Sequence, residues 1–404
     1  MLLHWLWLTE LPDISLREKH KLLTYFSEPE DLFSASAETL AQVQWLKPEQ
    51  IRVLLDKSLD RVEKLLETCV KKSIHILTFH DRGYPPLLRE IEDPPLLLYY
   101  KGDLPVFSEN LMLGVVGTRH ASAYGLSSAK QMAHGIARCG GIVVTGLAVG
   151  IDSKAAEGAL AAQGCVVGVL GCAIDNIYPA RNRALYERVQ RQGCLLSEYP
   201  PGARTLPWNF LRRNRIISGM SRGVLIVEAP EKSGALNTAA HCLEQGRDVY
   251  VVPGNIGVAS CAGSNALLRQ GAMAAFTGWD AVQDYAEEFP DKLKRDDTPL
   301  TEESVSYLYV AQEVTIPGGN STPKEEIDKK SVDNLSAGAY SGEETGLPEA
   351  ERTVLELLTP GEHFTDDIIA QAPMEPGVAL AALTTLTVMG YARSLPGRRV
   401  TRIK

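Results

Sequence analysis

A short segment of the chain places an aromatic ring among arginines and amides. Phe210 stands two residues before Arg212, and Arg213, Asn214 and Arg215 follow directly. Cations that track phosphates and a ring that stacks on a base are what single-stranded nucleic acid requires. The segment alone is equally compatible with a Phe210 packed in the core and arginines on a solvated helix face.

Two further segments carry groups that suit a phosphate. Gly117, Thr118 and Arg119 follow a short apolar run, where the glycine permits close backbone approach and the arginine supplies a permanent charge with forked donors. Arg181 and Asn182 follow a later apolar run. The alternative for Arg119 is an ordinary surface ion pair.

Groups that could catalyse a reaction are sparse. The acids that follow apolar runs are Asp152, Asp175, Glu198 and Glu228, and Glu228 is expected to cap a helix or to pair with an arginine. The core region has neither a phosphate-binding GK[ST] element nor a GxGxxG fingerprint. The seven cysteines form no CxxC pair. We therefore expect that the protein is not an enzyme and that it has neither a cofactor nor a metal site.

Charge is distributed unevenly along the chain. The net charge is −9, yet Asp284 to Glu351 holds 17 acidic and 6 basic residues, a balance of −11 that leaves the remainder at +2. Arg181 to Arg222 contains nine arginines against Glu187 and Glu198, a local balance of +7. Charge counts matter by segment, so a nucleic-acid partner is favoured despite the acidic total.

The elements that must position these groups alternate between strand and helix patterns, as in an α/β fold. Short apolar runs, each followed by a helical pattern, begin near Met112, Ile142, Cys165, Cys194, Gly223 and Asp248. Separations of 23 to 30 residues suit successive βαβ units, which predicts a doubly wound parallel sheet of Rossmann-like type. Asp152 is expected to cap the second helix of this region. Ligands bind such sheets beyond the carboxyl ends of the strands.

Four domains are predicted. Residues 1–70 are a small helical domain, 71–285 the Rossmann-like core, 286–346 an acidic flexible linker, and 347–404 a winged-helix domain. The predicted recognition helix of that last domain, 377–389, has no basic or amide side chain, which favours contact with a protein over duplex DNA. Without a long apolar run or a signal-peptide pattern, we expect a cytoplasmic protein.

Taken together, the motifs resemble the DNA-processing protein A family, also called DprA or Smf. The matching elements are Gly117-Thr118-Arg119, Gly150-Ile151-Asp152, Tyr178-Pro179 with Asn182, Ser197 to Gly202, Phe210 to Ile217, Ser233 to Ala239 and Val252-Pro253-Gly254. They span about residues 75 to 280. The chain departs from the family pattern at Ala156, where histidine is common, and at Ala173, where glycine is common.

This resemblance implies a protein that binds and protects single-stranded DNA, helps to load the RecA recombinase in natural transformation, and forms a homodimer. It also implies a SAM-like or helix-hairpin-helix N-terminal domain. The DNA-binding residues carried over by the resemblance, together with their neighbours, are Gly117, Thr118, Arg119, Arg181, Asn182, Phe210, Arg212, Arg213, Asn214, Arg215, Ser233 and Gly234.

Two other classes of protein compete with this interpretation. A nucleotide hydrolase of the lysine-decarboxylase-like type would carry a Pro-Gly-Gly-x-Gly-Thr loop at a strand-helix junction. The only Pro-Gly-Gly here is Pro317 to Gly319, in the predicted linker. A purely structural protein would not need the cluster of arginines and an aromatic ring.

Overall fold

The computed structural model describes residues 1–296, 349–359, 361–388, 391–395 and 399–403. The chain divides into two compact units, Met1–Glu313 and Val314–Lys404. Most of the predicted linker, from residue 297 to 346, lies outside the described residues. Its first residues are described, and there Leu293 is buried in the core of the first unit.

Short helices fill the N-terminal part of the first unit. They are α1 (Leu2–Glu10), α2 (Leu16–Tyr25), α3 (Pro29–Ser34), α4 (Ala37–Ala41), α5 (Pro48–Leu55) and α6 (Asp60–Lys71). Ser15 and Glu18 form a reciprocal capping box at the start of α2, which satisfies free N–H groups at that end. The buried side chains of these helices belong to the same hydrophobic cluster as one face of the sheet that follows.

A nine-stranded sheet forms the centre of the first unit, with the strand order β1-β2-β6-β5-β4-β3-β7-β8-β9. The strands are β1 (His75–Thr78), β2 (Leu97–Gly102), β3 (Met112–Val116), β4 (Ile142–Thr145), β5 (Val166–Leu170), β6 (Gly193–Ser197), β7 (Gly223–Ile226), β8 (Asp248–Val251) and β9 (Met273–Ala274). The seven strands from β6 to β9 in this order pair in parallel, and β1 and β2 join antiparallel.

Helices cover both faces of this sheet. They are α7 (Pro86–Arg89), α8 (Ala123–Arg138), α9 (Ile151–Ala161), α10 (Arg183–Arg191), α11 (Pro207–Gly219), α12 (Gly234–Glu244) and α13 (Ala262–Arg269). The apolar residues of α8, α9 and α10 belong to one hydrophobic cluster, and those of α7, α11 and α12 belong to the other. The predicted α/β fold with a large, mostly parallel sheet is confirmed.

The sheet has one topological switch point. From β3 the chain winds through β4 and β5 to β6, then returns to place β7 on the other side of β3. Loops that follow β3 and β7 therefore diverge to opposite faces and leave a crevice between them, which is where ligands bind in open α/β sheets.

The second unit is smaller and has its own apolar core. Its elements are α14 (Glu349–Leu357), β10 (Glu362–Phe364), α15 (Thr365–Gln371), α16 (Pro376–Val388), β11 (Ala392–Leu395) and β12 (Arg399–Arg402). The three strands form an antiparallel sheet in the order β10-β12-β11. Three helices and a terminal hairpin occur at the predicted positions, while the winged-helix assignment stays a prediction. Among the described residues, no helix is long and apolar enough to cross a membrane.

Candidate nucleic-acid interface

A cleft of about 860 Å³ lies at the switch point. Its walls come from the loops after β3 and β7, from α11, and from the start of α12. Eight of the sequence-predicted site residues line it: Gly117, Thr118, Arg119, Phe210, Arg213, Asn214, Ser233 and Gly234. The other four, Arg181, Asn182, Arg212 and Arg215, lie outside this lining.

The loop after β3 is held tightly against its neighbours. A Cβ atom on Gly117 would lie 2.5 Å from Cγ1 of Ile151, so only glycine fits there. The Thr118 N–H donates to the carbonyl of Glu228 at 2.8 Å, and its hydroxyl accepts from the N–H of His120 at 3.2 Å. Arg119 itself is exposed. The loop thus fixes its backbone and presents the Arg119 guanidinium at the rim of the cleft.

Phe210 stands between a cation and a second aromatic ring. The Arg119 guanidinium carbon lies 5.4 Å from the centroid of the Phe210 ring, within cation–π range. On another side, the centroid of the Tyr178 ring lies 5.2 Å away with the planes tilted by 38°. Tyr178 is 48% exposed and Phe210 is half-buried. The three side chains form one platform with a charged edge.

Beneath this platform, Asp152 joins two loops from within. Its carboxylate accepts from the N–H groups of Gly117 at 3.3 Å and Gly146 at 3.2 Å. Burial raises the pKa of Asp152 to about 6, although Arg213 and the backbone donors oppose that shift. The prediction that Asp152 caps α9 is wrong, because Gly150 occupies the N-cap with φ +84° and the carboxylate reaches back to the strand ends.

Arg213 is part of the floor of the cleft rather than an arm that extends into it. Its guanidinium donates to the carbonyls of Gly146 at 3.0 Å and Val169, at the ends of β4 and β5. The side chain is buried, and burial lowers its pKa while Asp152 opposes the change. A guanidinium with these partners holds strand ends together.

Asn214 and the start of α12 form the opposite wall. The Asn214 side-chain amide donates to the carbonyl of Gly234 and to the side chain of Asn237, both at 3.2 Å. Ser233 caps α12 through its hydroxyl, which accepts from the N–H of Ala235. The end of this helix therefore faces the cleft with backbone donors and the exposed Lys232 beside it.

Arg212 and Arg215 turn toward a different set of partners. Arg215 is buried and donates to Asp93 and Glu198, each at 2.8 Å. Arg212 is half exposed and its Nη2 lies 3.6 Å from the same Glu198 carboxylate. The structure therefore does not bring Arg215 into the cleft, because two carboxylates from distant parts of the chain already occupy its donors.

Arg181 and Asn182 lie in a short 3-10 turn beyond Tyr178. The Asn182 amide donates to the Leu147 carbonyl at 2.9 Å and to the Ser153 hydroxyl at 3.0 Å, which ties this turn to the loop after β4. Arg181 is exposed. Asn182 positions the turn, and Arg181 stands on its surface near the cleft.

Among the cleft residues that the sequence prediction omitted are Tyr178 and Lys232. Tyr178 belongs to the Tyr-Pro element that was noted, but its ring was not assigned a role. Lys232 precedes the capping Ser233 and lines the cleft. A cation directly before a predicted helix start, beyond a parallel strand, was the available signal for Lys232.

The doubly wound sheet and its switch-point cleft define a Rossmann-like protein. Comparison with known proteins identifies its family. Residues 75–288 match the family described as DNA recombination-mediator protein A. The chain belongs to this family.

Named relatives agree with this assignment. The DNA processing protein DprA of Bacillus subtilis is 36% identical over 61% of this chain and 82% of its own length. Protein Smf of a Synechocystis species is 29% identical over 99% of this chain and 98% of its own. The X-ray structure of DprA from Streptococcus pneumoniae superposes with a TM-score of 0.62 at 28% identity, covering 70% of this chain and 98% of that one.

Proposed function

We propose that this protein binds single-stranded DNA in the switch-point cleft and passes it to the RecA recombinase. The observation that carries the proposal is the platform of Arg119, Phe210 and Tyr178 at the rim of the cleft. Aromatic faces stack on any unpaired base, and an arginine beside them neutralises the adjoining phosphate. Bases inside a duplex are already stacked on each other, so the platform favours the single strand.

The predicted site residues take two kinds of role in this proposal. Contact with DNA falls to Arg119, Phe210 and Arg181, and to the backbone at Gly117, Ser233 and Gly234. Thr118, Asn182, Arg213, Asn214 and Arg215 hold these groups in place through the hydrogen bonds and ion pairs described above. Tyr178 and Lys232 join the first group.

Membership of the family supports the finer parts of the proposal. These are a cytoplasmic homodimer that protects incoming single strands from nucleases, loads RecA during natural transformation, and carries out no catalysis of its own. The second unit is proposed to be a winged helix that contacts a protein partner, since α16 has neither basic nor amide side chains.

Nucleotide hydrolysis is not favoured. The lysine-decarboxylase-like interpretation needs a Pro-Gly-Gly loop at a strand-helix junction. The only such tripeptide, Pro317 to Gly319, lies outside the described residues, in an acidic segment without strand or helix patterning. Family membership favours DNA processing instead.

The test is a salt titration of binding to labelled single-stranded and duplex oligonucleotides, followed by fluorescence anisotropy. We expect tighter binding to the single strand, with log K falling against log salt by about 0.7 for each phosphate contact. Arg119→Gln should reduce that slope by about 0.7, whereas the matched control Arg82→Gln, an exposed arginine outside the cleft, should not. Equal affinity for both forms of DNA would contradict the proposal.

A further inference from the structure

Helix α10 carries a cationic face that the cleft does not use. Its exposed arginines are Arg183, Arg188 and Arg191. Its buried side chains are Leu185, Tyr186 and Val189. At 3.6 residues per turn, the arginines fall within an arc of about 140° that excludes the buried residues. The helix is therefore amphipathic, and three of its nine residues present guanidinium groups to solvent.

Within the described residues these arginines have no carboxylate partner. Arg138, Arg215 and Arg247, by contrast, each lie within 3 Å of an acidic oxygen. The one acid on the exposed face of α10 is Glu187. On a helix face whose arginines serve only to contact solvent, acidic residues commonly stand three or four positions from them. This face has one acidic residue and three arginines.

Further positive charge lies beside α10. Burial lowers the pKa of Lys130 on α8, and the nearby charges of Lys154 and Arg188 lower it further, with Glu157 acting in the opposite direction. Arg188 is thus within electrostatic range of Lys130, whereas Lys154 pairs with Glu157 at 2.7 Å. Like charges that gather in this way repel each other, and an anion bound among them relieves that repulsion.

Helix α10 follows the cleft wall directly along the chain. The chain runs from Tyr178, in the cleft wall, through the turn that bears Arg181, directly into α10. The Tyr186 hydroxyl of α10 donates to the Tyr178 carbonyl at 2.8 Å, which ties the helix to the wall. A nine-residue helix adds about 13 Å of length to the site.

We propose that Arg183, Arg188 and Arg191 form a track for the phosphates of a single strand that continues past Arg181 and beyond the cleft. This α10 track rests on the proposed function and deepens it. The cleft holds bases on its platform, whereas the track contacts only the sugar-phosphate backbone, because no aromatic side chain is exposed on α10. Strands that end within the cleft bind without the track.

The test compares two lengths of oligothymidylate, about 4 and about 16 nucleotides, which span the usual range of single-strand site sizes. In the triple variant Arg183→Gln, Arg188→Gln and Arg191→Gln, the salt slope for the long strand should fall by about 2, since three contacts contribute about 0.7 each. The slope and affinity for the short strand should stay as in the wild type.

Two further variants control this experiment. Arg52→Gln, Lys64→Gln and Arg82→Gln remove the same charge from exposed positions on α5, α6 and the turn after β1, and should leave both slopes unchanged. Replacing the three α10 arginines by lysine keeps the charge, so the long-strand slope should return to nearly its wild-type value. Circular dichroism checks that each variant is folded.

The outcomes separate the α10 track from the cleft. An unchanged long-strand slope in the glutamine variant, or an equal loss in the control triple, overturns the track and leaves the cleft proposal standing. Loss of binding to both lengths also overturns it, because the track would then not be an extension. If the wild type binds neither length, the proposed function itself fails.

Discussion

Helices α10 and α11 each carry three arginines, yet the two sets have different surroundings. In α11, Arg213 donates to strand-end carbonyls and Arg215 pairs with two carboxylates, both buried. In α10, all three guanidinium groups are exposed. The cause is position: α11 packs on the sheet with α12 and α7 beside it, so most of its residues are buried, while α10 leaves one face open. A guanidinium taken out of water needs partners within the protein, and one in water is available to a ligand.

The sharpest test of this difference is Arg215→Ala. Removing the buried partner leaves Glu198 with only the half-exposed Arg212, 3.6 Å away, and the loss of a buried ion pair costs about 3 to 5 kcal/mol of unfolding free energy. Chemical denaturation measures the loss. Arg188→Ala on α10 is the control and should change stability by less than about 0.5 kcal/mol. Equal stability losses in the two variants would erase the distinction between the helices.

Phe210→Ala comes next in size. Loss of the stacking surface should weaken binding to single-stranded DNA by roughly 1 to 3 kcal/mol for any base sequence. Phe210→Leu keeps an apolar side chain against the same neighbours and should weaken binding nearly as much while preserving stability. An unchanged affinity in a gel-shift titration with Phe210→Ala would remove the ring from the site.

Arg181→Gln should have a smaller effect that is confined to binding. One lost phosphate contact reduces the salt slope by about 0.7 and leaves thermal stability as it was, because the side chain is exposed. Asn182→Ala provides the contrast within the same turn, since it removes two hydrogen bonds to the loop after β4 and should lower stability. A stability loss in Arg181→Gln would contradict the assignment.

Arg212→Gln should have the smallest effect. Its side chain is 48% exposed and lies 3.6 Å from Glu198, so the ion pair is worth about 0 to 1 kcal/mol. Denaturation in 0.1 M and 1 M salt measures how much of that small contribution is electrostatic. A loss as large as that of Arg215→Ala would show that the two arginines share Glu198 equally.

Much of the fold could be predicted from the sequence, because parallel strands that are buried on both faces read as short apolar runs. The runs near Met112, Ile142 and Gly223 coincide with β3, β4 and β7. The two-residue β9 and three-residue β10 are too short to leave a pattern. Asp152 shows the limit of local rules: its sequence position suited a cap, but its partners lie on loops that only the tertiary fold brings together.

The site was predictable in part. Arg119 and Phe210 both follow strands of a parallel sheet, so their convergence at one edge could be anticipated. The ion pairs of Arg215 could not be anticipated, because one partner, Asp93, is 122 residues away. In the sequence, the arginines of α10 contributed only to a total of positive charge. Their exposure is a result of how the amphipathic helix packs.

The pairing of β3 with β7 determines when the sheet can be completed during synthesis. Leu113 is in register with Gly223, 110 residues later in the chain. At about 5 to 20 residues per second, a ribosome needs roughly 5 to 20 s to synthesise that interval. Throughout this time the first parallel strand lacks one of its two neighbours, and the nascent chain has no switch-point cleft. A messenger truncated anywhere before β7 would therefore yield polypeptides without the switch-point cleft.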